Sequence, residues 1–137
     1  MPSTILYWPN PNVQISAIAI QALNKGLKKL GVEHKFLRTH EYVESDLAVV
    51  PGWIKKLVDV PKGRGELIRA QLKAGKKVMI LERGFLGDRR KWSSLGWNGM
   101  SGYGWHNNKN SPSDRWERLG LEMKPWKKDG KHVLLCA

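Results

Sequence analysis

The spacing of apolar residues changes period several times along the chain. Thr4-Ile5-Leu6-Tyr7-Trp8 is a short apolar run closed by Pro9-Asn10-Pro11, which predicts a buried strand and a turn. Val13, Ala17, Ile20, Leu23, Leu27 and Leu30 then recur at three- and four-residue steps and so share one face of a helix. Asn12 suits the N-cap of that helix, Lys25, Lys28 and Lys29 suit its C-terminal dipole, and Gly31 stops it. His34 to Arg38 predicts a more polar strand, and Leu47-Ala48-Val49-Val50 an apolar one halted by Pro51-Gly52. Gly65 to Ala74 follows as a second helix, with Leu67, Ile68 and Leu72 inward and Gly75 as its stop, before the strand Lys77-Val78-Met79-Ile80-Leu81.

Continuous apolar strands alternating with helices indicate a parallel sheet covered on both faces. Right-handed crossovers then restrict the chain to an α/β, three-layer sandwich of Rossmann-like or flavodoxin-like type, with a mainly parallel sheet of about five strands. His132-Val133-Leu134-Leu135-Cys136 supplies the last apolar run. Between the fourth strand and that run the grammar changes. Residues 83–112 are rich in Gly, Trp, Asn, Ser and Arg without a sustained period, which predicts a long Trp/Gly-rich loop of the kind that carries function. Ser113 to Leu119 suits a short helix. No linker divides the sequence, so residues 1–137 form one domain; an apolar run so near the terminus also fits one half of a larger, two-domain architecture.

Charge narrows the partners. The chain has 137 residues, with 24 Lys and Arg against 12 Asp and Glu, a formal net charge of +12. A domain this basic favours polyanions such as DNA, RNA, anionic lipid or a phosphorylated substrate. Seven Trp outnumber the two Phe and three Tyr together, and most fall in predicted loops, where they either fill an irregular core or stack on bases and sugars. No apolar run approaches the roughly 20 residues that cross a bilayer, and the first residues lack a secretory pattern. Cys136 alone makes neither an internal disulfide nor a four-cysteine zinc site, so a reducing cytoplasm is expected.

In open parallel sheets ligands bind beyond the carboxyl ends of the strands. Three such ends carry unusual groups here: Trp8-Pro9-Asn10, Pro51-Gly52-Trp53 and Glu82-Arg83-Gly84-Phe85. Trp8, Asn10 and Trp53 are the candidate substrate contacts. Glu82 fits two roles, a general base or a structural ion pair with Arg83, Arg89 or Arg90. His106 is the histidine best placed for proton transfer or phosphate contact, its alternative being a solvated loop position. Arg83, Arg89, Arg90 and Lys91 beside Trp92 combine phosphate-binding forks with a stacking surface, and Trp97, Trp105, Lys109, Arg115 and Trp116 continue the alternation. His34 and His132 stand at strand starts, on the opposite edge.

Other chemistries are excluded by what is missing. Gly63-Arg64-Gly65 lacks the Gly-Lys-Ser/Thr ending of a phosphate loop, and Pro9-Asn10-Pro11 replaces the Gly-rich dinucleotide fingerprint, so no nucleotide cofactor is expected. His40-Glu41 lacks the second histidine of a zinc-protease helix, and no other metal spacing occurs. The stretch from Asp46 to Gly52, a helix and a Gly-Lys strand is similar to class I amidotransferase-like domains. Those place a cysteine just after the next strand, where this chain has Glu82-Arg83-Gly84.

The order of Leu6-Tyr7-Trp8, the amphipathic helix, Asp46 to Gly52, and Lys77 to Phe85 resembles the N-terminal Rossmann-like half of two-domain glycosyltransferases. Leu81-Glu82-Arg83-Gly84-Phe85-Leu86-Gly87-Asp88-Arg89 with Gly96-Trp97-Asn98-Gly99 is similar to bacteriophage proteins of that shape. The resemblance implies an acceptor-binding half, a phage-encoded protein in the host cytoplasm, and a donor-binding domain that this sequence does not include. Three functions follow as expectations. The first is a module binding DNA or another polyanion, in phage DNA modification or host interference. The second is an enzyme acting on a sugar or nucleotide with Glu82 as base. The third is an interaction module for an acidic host or partner protein, or for the missing second domain.

Overall fold

Helix ends are set by glycine at two equivalent places. Gly31 and Gly75 have φ of 67° and 71°, the left-handed region that costs a side-chain-bearing residue about 1–2 kcal/mol. At the first, the Gly31 N–H donates to the Lys28 carbonyl and the Val32 N–H reaches back to Leu27. At the second, Gly75 donates to Leu72 and Lys76 to Gln71. Both are the paired reverse bonds that satisfy a helix's last carbonyls. The computed structural model describes residues 3–8, 14–52, 63–84, 88, 92–100, 103–105, 109–110, 112–122, 124–125 and 128–130.

Among these the elements run β1 (Thr4–Tyr7), α1 (Gln14–Lys29), β2 (His34–Leu37), β3 (Leu47–Pro51), α2 (Arg64–Lys73), β4 (Lys77–Arg83), β5 (Ser93–Trp97) and α3 (Asp114–Leu119). They form an α/β fold around one five-stranded sheet of order β2-β1-β3-β4-β5. The first four strands are mutually parallel, and β5 returns antiparallel against β4. The expected run of strands and helices up to Leu81 is therefore present. The fifth strand differs: it comes from within the segment expected to be a loop. His132 to Cys136 and the Asn12 cap lie outside the described residues.

Alternation along the strands divides the core in two. Ile5, Tyr7, Ala48, Val50, Val78 and Ile80 face Leu67 and Ile68 of α2. Leu6, Val49 and Leu81 face the other way, with Ile20, Leu23 and Leu27 of α1. Fully burying an Ile, Leu or Val contributes roughly 1.5–3 kcal/mol each, so this two-sided cover dominates the fold. Leu30 departs from the expected stripe and is 77% exposed, because the chain reverses at Gly31 before its side chain can reach the sheet.

Polar clips fix the amino edge of the sheet. The fully buried Gln71 donates through Nε2 to the Ser45 carbonyl at 2.8 Å and the Lys77 carbonyl at 3.2 Å, tying α2 to the starts of β3 and β4. Just outside, Lys76 Nζ meets Asp46 Oδ1 at 2.9 Å, which holds the Asp46 carboxyl below its usual range. His34 bonds Val32 O and Asn24 Oδ1, both at 2.7 Å, at the same edge. No helix among the described residues is long and apolar enough to cross a membrane.

Two glycine substitutions should move stability in opposite directions. Gly26 lies inside α1 with open space around it, so Gly26→Ala is expected to stabilise by about 0.5–1 kcal/mol. Gly31→Ala, with equal space but a left-handed backbone, should destabilise by about 1 kcal/mol. Urea denaturation of both variants checks the pair, and equal signs would contradict the assigned helix end.

Candidate functional site

The carboxyl ends of β1, β3 and β4 line one edge, because the three strands are parallel neighbours. The chain leaves β1 towards β2 on one side and returns as β3 on the other, which opens a crevice between β1 and β3. Trp8 sits at that point. Its N–H donates to the Leu37 carbonyl at 2.8 Å, and its ring meets Phe36 edge-on with centroids 5.6 Å apart. The Arg38 guanidinium lies 6.0 Å from the Trp8 ring, and the indole Nε1 is buried without a hydrogen-bond partner. Across the crevice Arg64, the first residue of α2, donates from Nη1 to the Pro51 carbonyl at 2.9 Å. A Cβ on Gly52 would strike that guanidinium. Arg64 Nε is buried and lacks a partner. Asn10 and Trp53 lie outside the described residues.

A groove opens beside this edge for a topological reason. Parallel strands are ordinarily joined through a helix by a dozen or more residues, but the crossover from β2 to β3 has only residues 38–46 and no helix. This strap is pinned to β1 by one hydroxyl: Tyr7 accepts from the Val43 N–H at 3.1 Å and donates to the Val43 carbonyl at 3.3 Å. Burial raises the Tyr7 hydroxyl above its usual pKa, partly offset by the Val43 bond. Between strap and α2 lies a cavity of about 600 Å³. Thr39 to Tyr42 form one wall, and Gly63, Glu66, Leu67 and Ala70 the other. Burial, and then the nearby Arg64 charge, hold His40 below the ordinary histidine pKa, so its imidazole is neutral at neutral pH. The Tyr42 hydroxyl is buried there without a partner. A neutral imidazole and a phenol above an apolar floor suit hydrogen bonding to a small polar molecule. The sequence had offered His40 only as half of a zinc motif; the signal passed over was the shortness of this crossover.

The remaining candidates separate into two groups. Glu82 lies within β4 opposite Ser94, on the α2 face, and is engaged in a contact of its own. Arg83 is exposed at the end of β4, opposite Ser93. Gly84 then donates to the Trp92 carbonyl at 2.8 Å, which keeps Trp92 at the carboxyl edge. Arg89, Arg90, Lys91 and His106 lie outside the described residues, as does the Arg115 side chain; Lys109 is exposed. The expected loop over the carboxyl edge is corrected here. β5 carries the chain back along β4, so Trp97 pairs with Met79, and Trp105 pairs with Trp97, a strand's length from Arg83. Asn98 anchors the turn: its N–H donates to the Val78 carbonyl at 2.7 Å, and its Oδ1 accepts from the Val78 N–H at 2.9 Å. Met100, 5% exposed, then fills the core on the α2 side. Among the described residues no group of three or more His, Cys, Asp or Glu could hold a metal ion.

His40 gives a pH signature with a definite sign. Its folded pKa lies below the ordinary histidine value of 6.5, so the unfolded chain binds the proton more readily. Its stabilising contribution is therefore complete above pH 6.5 and is lost as pH falls through the folded pKa. Unfolding curves between pH 7 and about 5 should show this acid-side decline, and His40→Asn should flatten it; an unchanged slope would contradict the assignment. Scanned against models of protein families, the chain matches none, and no curated protein matches it either, so the chemistry of its own surface carries the functional argument.

Proposed function

We propose that this chain is a basic nucleic-acid- or polyanion-binding domain of three-layer, Rossmann-like architecture. The observation that carries this reading is the net charge of +12. Lys25, Lys28, Lys29, Lys35, Arg38, Lys73, Lys77 and Arg83 are all exposed on or around the sheet and its two long helices. A field of one sign on so small a body attracts polyanions and repels other cations. The resemblance to the acceptor-binding half of phage glycosyltransferase-like proteins agrees with a DNA-directed role, in DNA modification or host interference. It supplies no catalytic group by itself.

A second reading has one observation in its favour. The Tyr42 hydroxyl is buried and unpartnered on a groove that also holds the neutral His40. Under this reading the chain binds a small sugar- or nucleotide-like molecule there, as part of an enzyme. A protein-interaction role for the basic surface is the third possibility, and the same measurement separates it from the first.

The test is a salt titration of binding to duplex DNA, single-stranded DNA and RNA. Phosphate contacts release counterions, so log affinity should fall linearly with log salt, with a slope near 0.9 per contact on duplex. Arg83→Ala should reduce that slope by about 1 without changing the fold. Affinity that stayed constant between about 50 and about 200 mM salt would remove the polyanion reading.

A further inference from the structure

We infer that the open face of the β4–β5 edge takes single-stranded nucleic acid, with bases stacked on Trp97 and Trp105 and phosphates met by Arg83 and Lys77. The inference rests on the polyanion reading above and narrows it to one form of polymer and one surface.

The surface follows from strand pairing. Residues directly opposite one another in an antiparallel pair share a face. Met79 opposes Trp97, Leu81 opposes Leu95, and Arg83 opposes Ser93. Trp97 and Trp105 exchange both backbone hydrogen bonds, each at 2.9 Å, so their side chains project side by side on that same face. Met79 and Leu81 join the cluster under α1, but no residue of β5 does. Among the described residues the helix cover therefore stops at β4. Beyond it Leu95 is 52% exposed and Trp105 64% exposed. On the opposite face the same strand is closed, since Gly96 is buried and Met100 packs into the core. The strand is half-covered, and its uncovered side carries Leu95 and the partly exposed Trp97, with Trp105 alongside.

Charge identifies the occupant. By alternation Lys77 and Arg83 project from the face that carries Met79 and Leu81, and both are exposed. They lie at opposite ends of β4, roughly 20 Å apart at about 3.3 Å per residue, with the two indoles near the Lys77 end, level with Met79, and Leu95 between them and Arg83. One cation beside the indoles and a second further along the strand match a chain that alternates anionic phosphates with flat bases. A duplex offers the phosphates but keeps its bases stacked on one another, leaving the indoles without a partner. In a single strand the bases are free, and stacking on aromatic side chains is tolerant of sequence. An acidic polypeptide would satisfy the cations and leave the indoles unused.

The experiment compares a thymidine oligonucleotide, a uridine oligonucleotide, a duplex with the same number of phosphates, and polyglutamate. Binding is read by intrinsic tryptophan fluorescence and by anisotropy of labelled probes across a salt series. Both single strands should quench the tryptophans and bind more tightly than duplex or polyglutamate. Trp105→Ala should weaken oligonucleotide binding roughly tenfold and leave duplex binding unchanged, whereas Trp105→Phe should retain most of the affinity. Lys77→Ala should lower the single-strand salt slope by about 0.7. The thermal midpoint of each variant verifies folding; a Trp105→Ala protein that failed to fold would leave Trp105→Phe and the parent's quenching to decide. Duplex or polyglutamate binding as tight as single strands, or Trp105→Ala binding like the parent, would overturn this inference while leaving polyanion binding in place. Salt-insensitive binding, or none to any probe, would overturn both.

Discussion

The sheet is apolar on both faces, and the chain must cover both with little helix. Ile5, Val50 and Ile80 point one way and Leu6, Val49 and Leu81 the other, so neither face can be left to water. α1 seals the second face through Ile20, Leu23 and Leu27, and α2 seals part of the first through Leu67 and Ile68. Among the described residues, the rest of the first face is closed by makeshift parts: the strap over β1, held by the Tyr7 hydroxyl, and the turn that delivers Met100. Each buried aliphatic side chain contributes kcal/mol, whereas exposed pairs such as Lys76 with Asp46 add little in water. Cover, not surface charge, therefore decides where every segment lies.

Makeshift cover leaves seams, and polar groups are trapped in them. Where a helix would have crossed from β2 to β3, the strap leaves the groove with His40 and the unpartnered Tyr42 hydroxyl. At the β1–β3 switch point Trp8 Nε1 and Arg64 Nε are also buried without partners. A buried donor without an acceptor costs about 1–3 kcal/mol, so native chains leave few of them unless water or a ligand completes the bond. Trp8 Nε1 and Arg64 Nε lie at the carboxyl edge, where an open α/β sheet receives ligands. The amino edge has orphaned atoms too, Ser45 Oγ and Gln71 Oε1, although Gln71 Nε2 donates to two carbonyls that fix the fold.

Periodicity made the sheet and the two long helices legible because their apolar residues are buried on a repeating geometry. Ile20, Leu23, Leu27, Leu67 and Ile68 all lie where their spacing put them, and Gly31 and Gly75 stop the helices as expected. Leu30 was misplaced because spacing says nothing about where the backbone reverses. β5 was hidden for a different reason. Its alternation, Ser93, Leu95 and Trp97 against Ser94 and Gly96, is a strand's period, but the face with the large residues is the exposed one. An edge strand buried on its small side inverts the usual signal. The groove was illegible because it is made by an absent helix, and Tyr7 and Val43, which hold it, are far apart in sequence.

The same inversion bears on recognition. Among the described residues basic side chains stand at both edges of the sheet, Arg38, Arg64 and Arg83 at one and Lys28, Lys29 and Lys77 at the other, which produces attraction without direction. Long-range fields raise the local concentration of any polyanion and choose none of them. Selection needs a surface whose shape only one class of polymer satisfies. On the described surface, the β5 edge has that character, because its aromatic residues face outward where burial would ordinarily have claimed them. Trp105 is supported there through its backbone bonds to Trp97, so its ring is free of any duty to the core. A large apolar side chain held in place yet left in water loses the hydrophobic gain of burial until something covers it. On the binding proposed above, that cover is an anion, because Lys77 stands two residues from Met79, the residue that opposes Trp97.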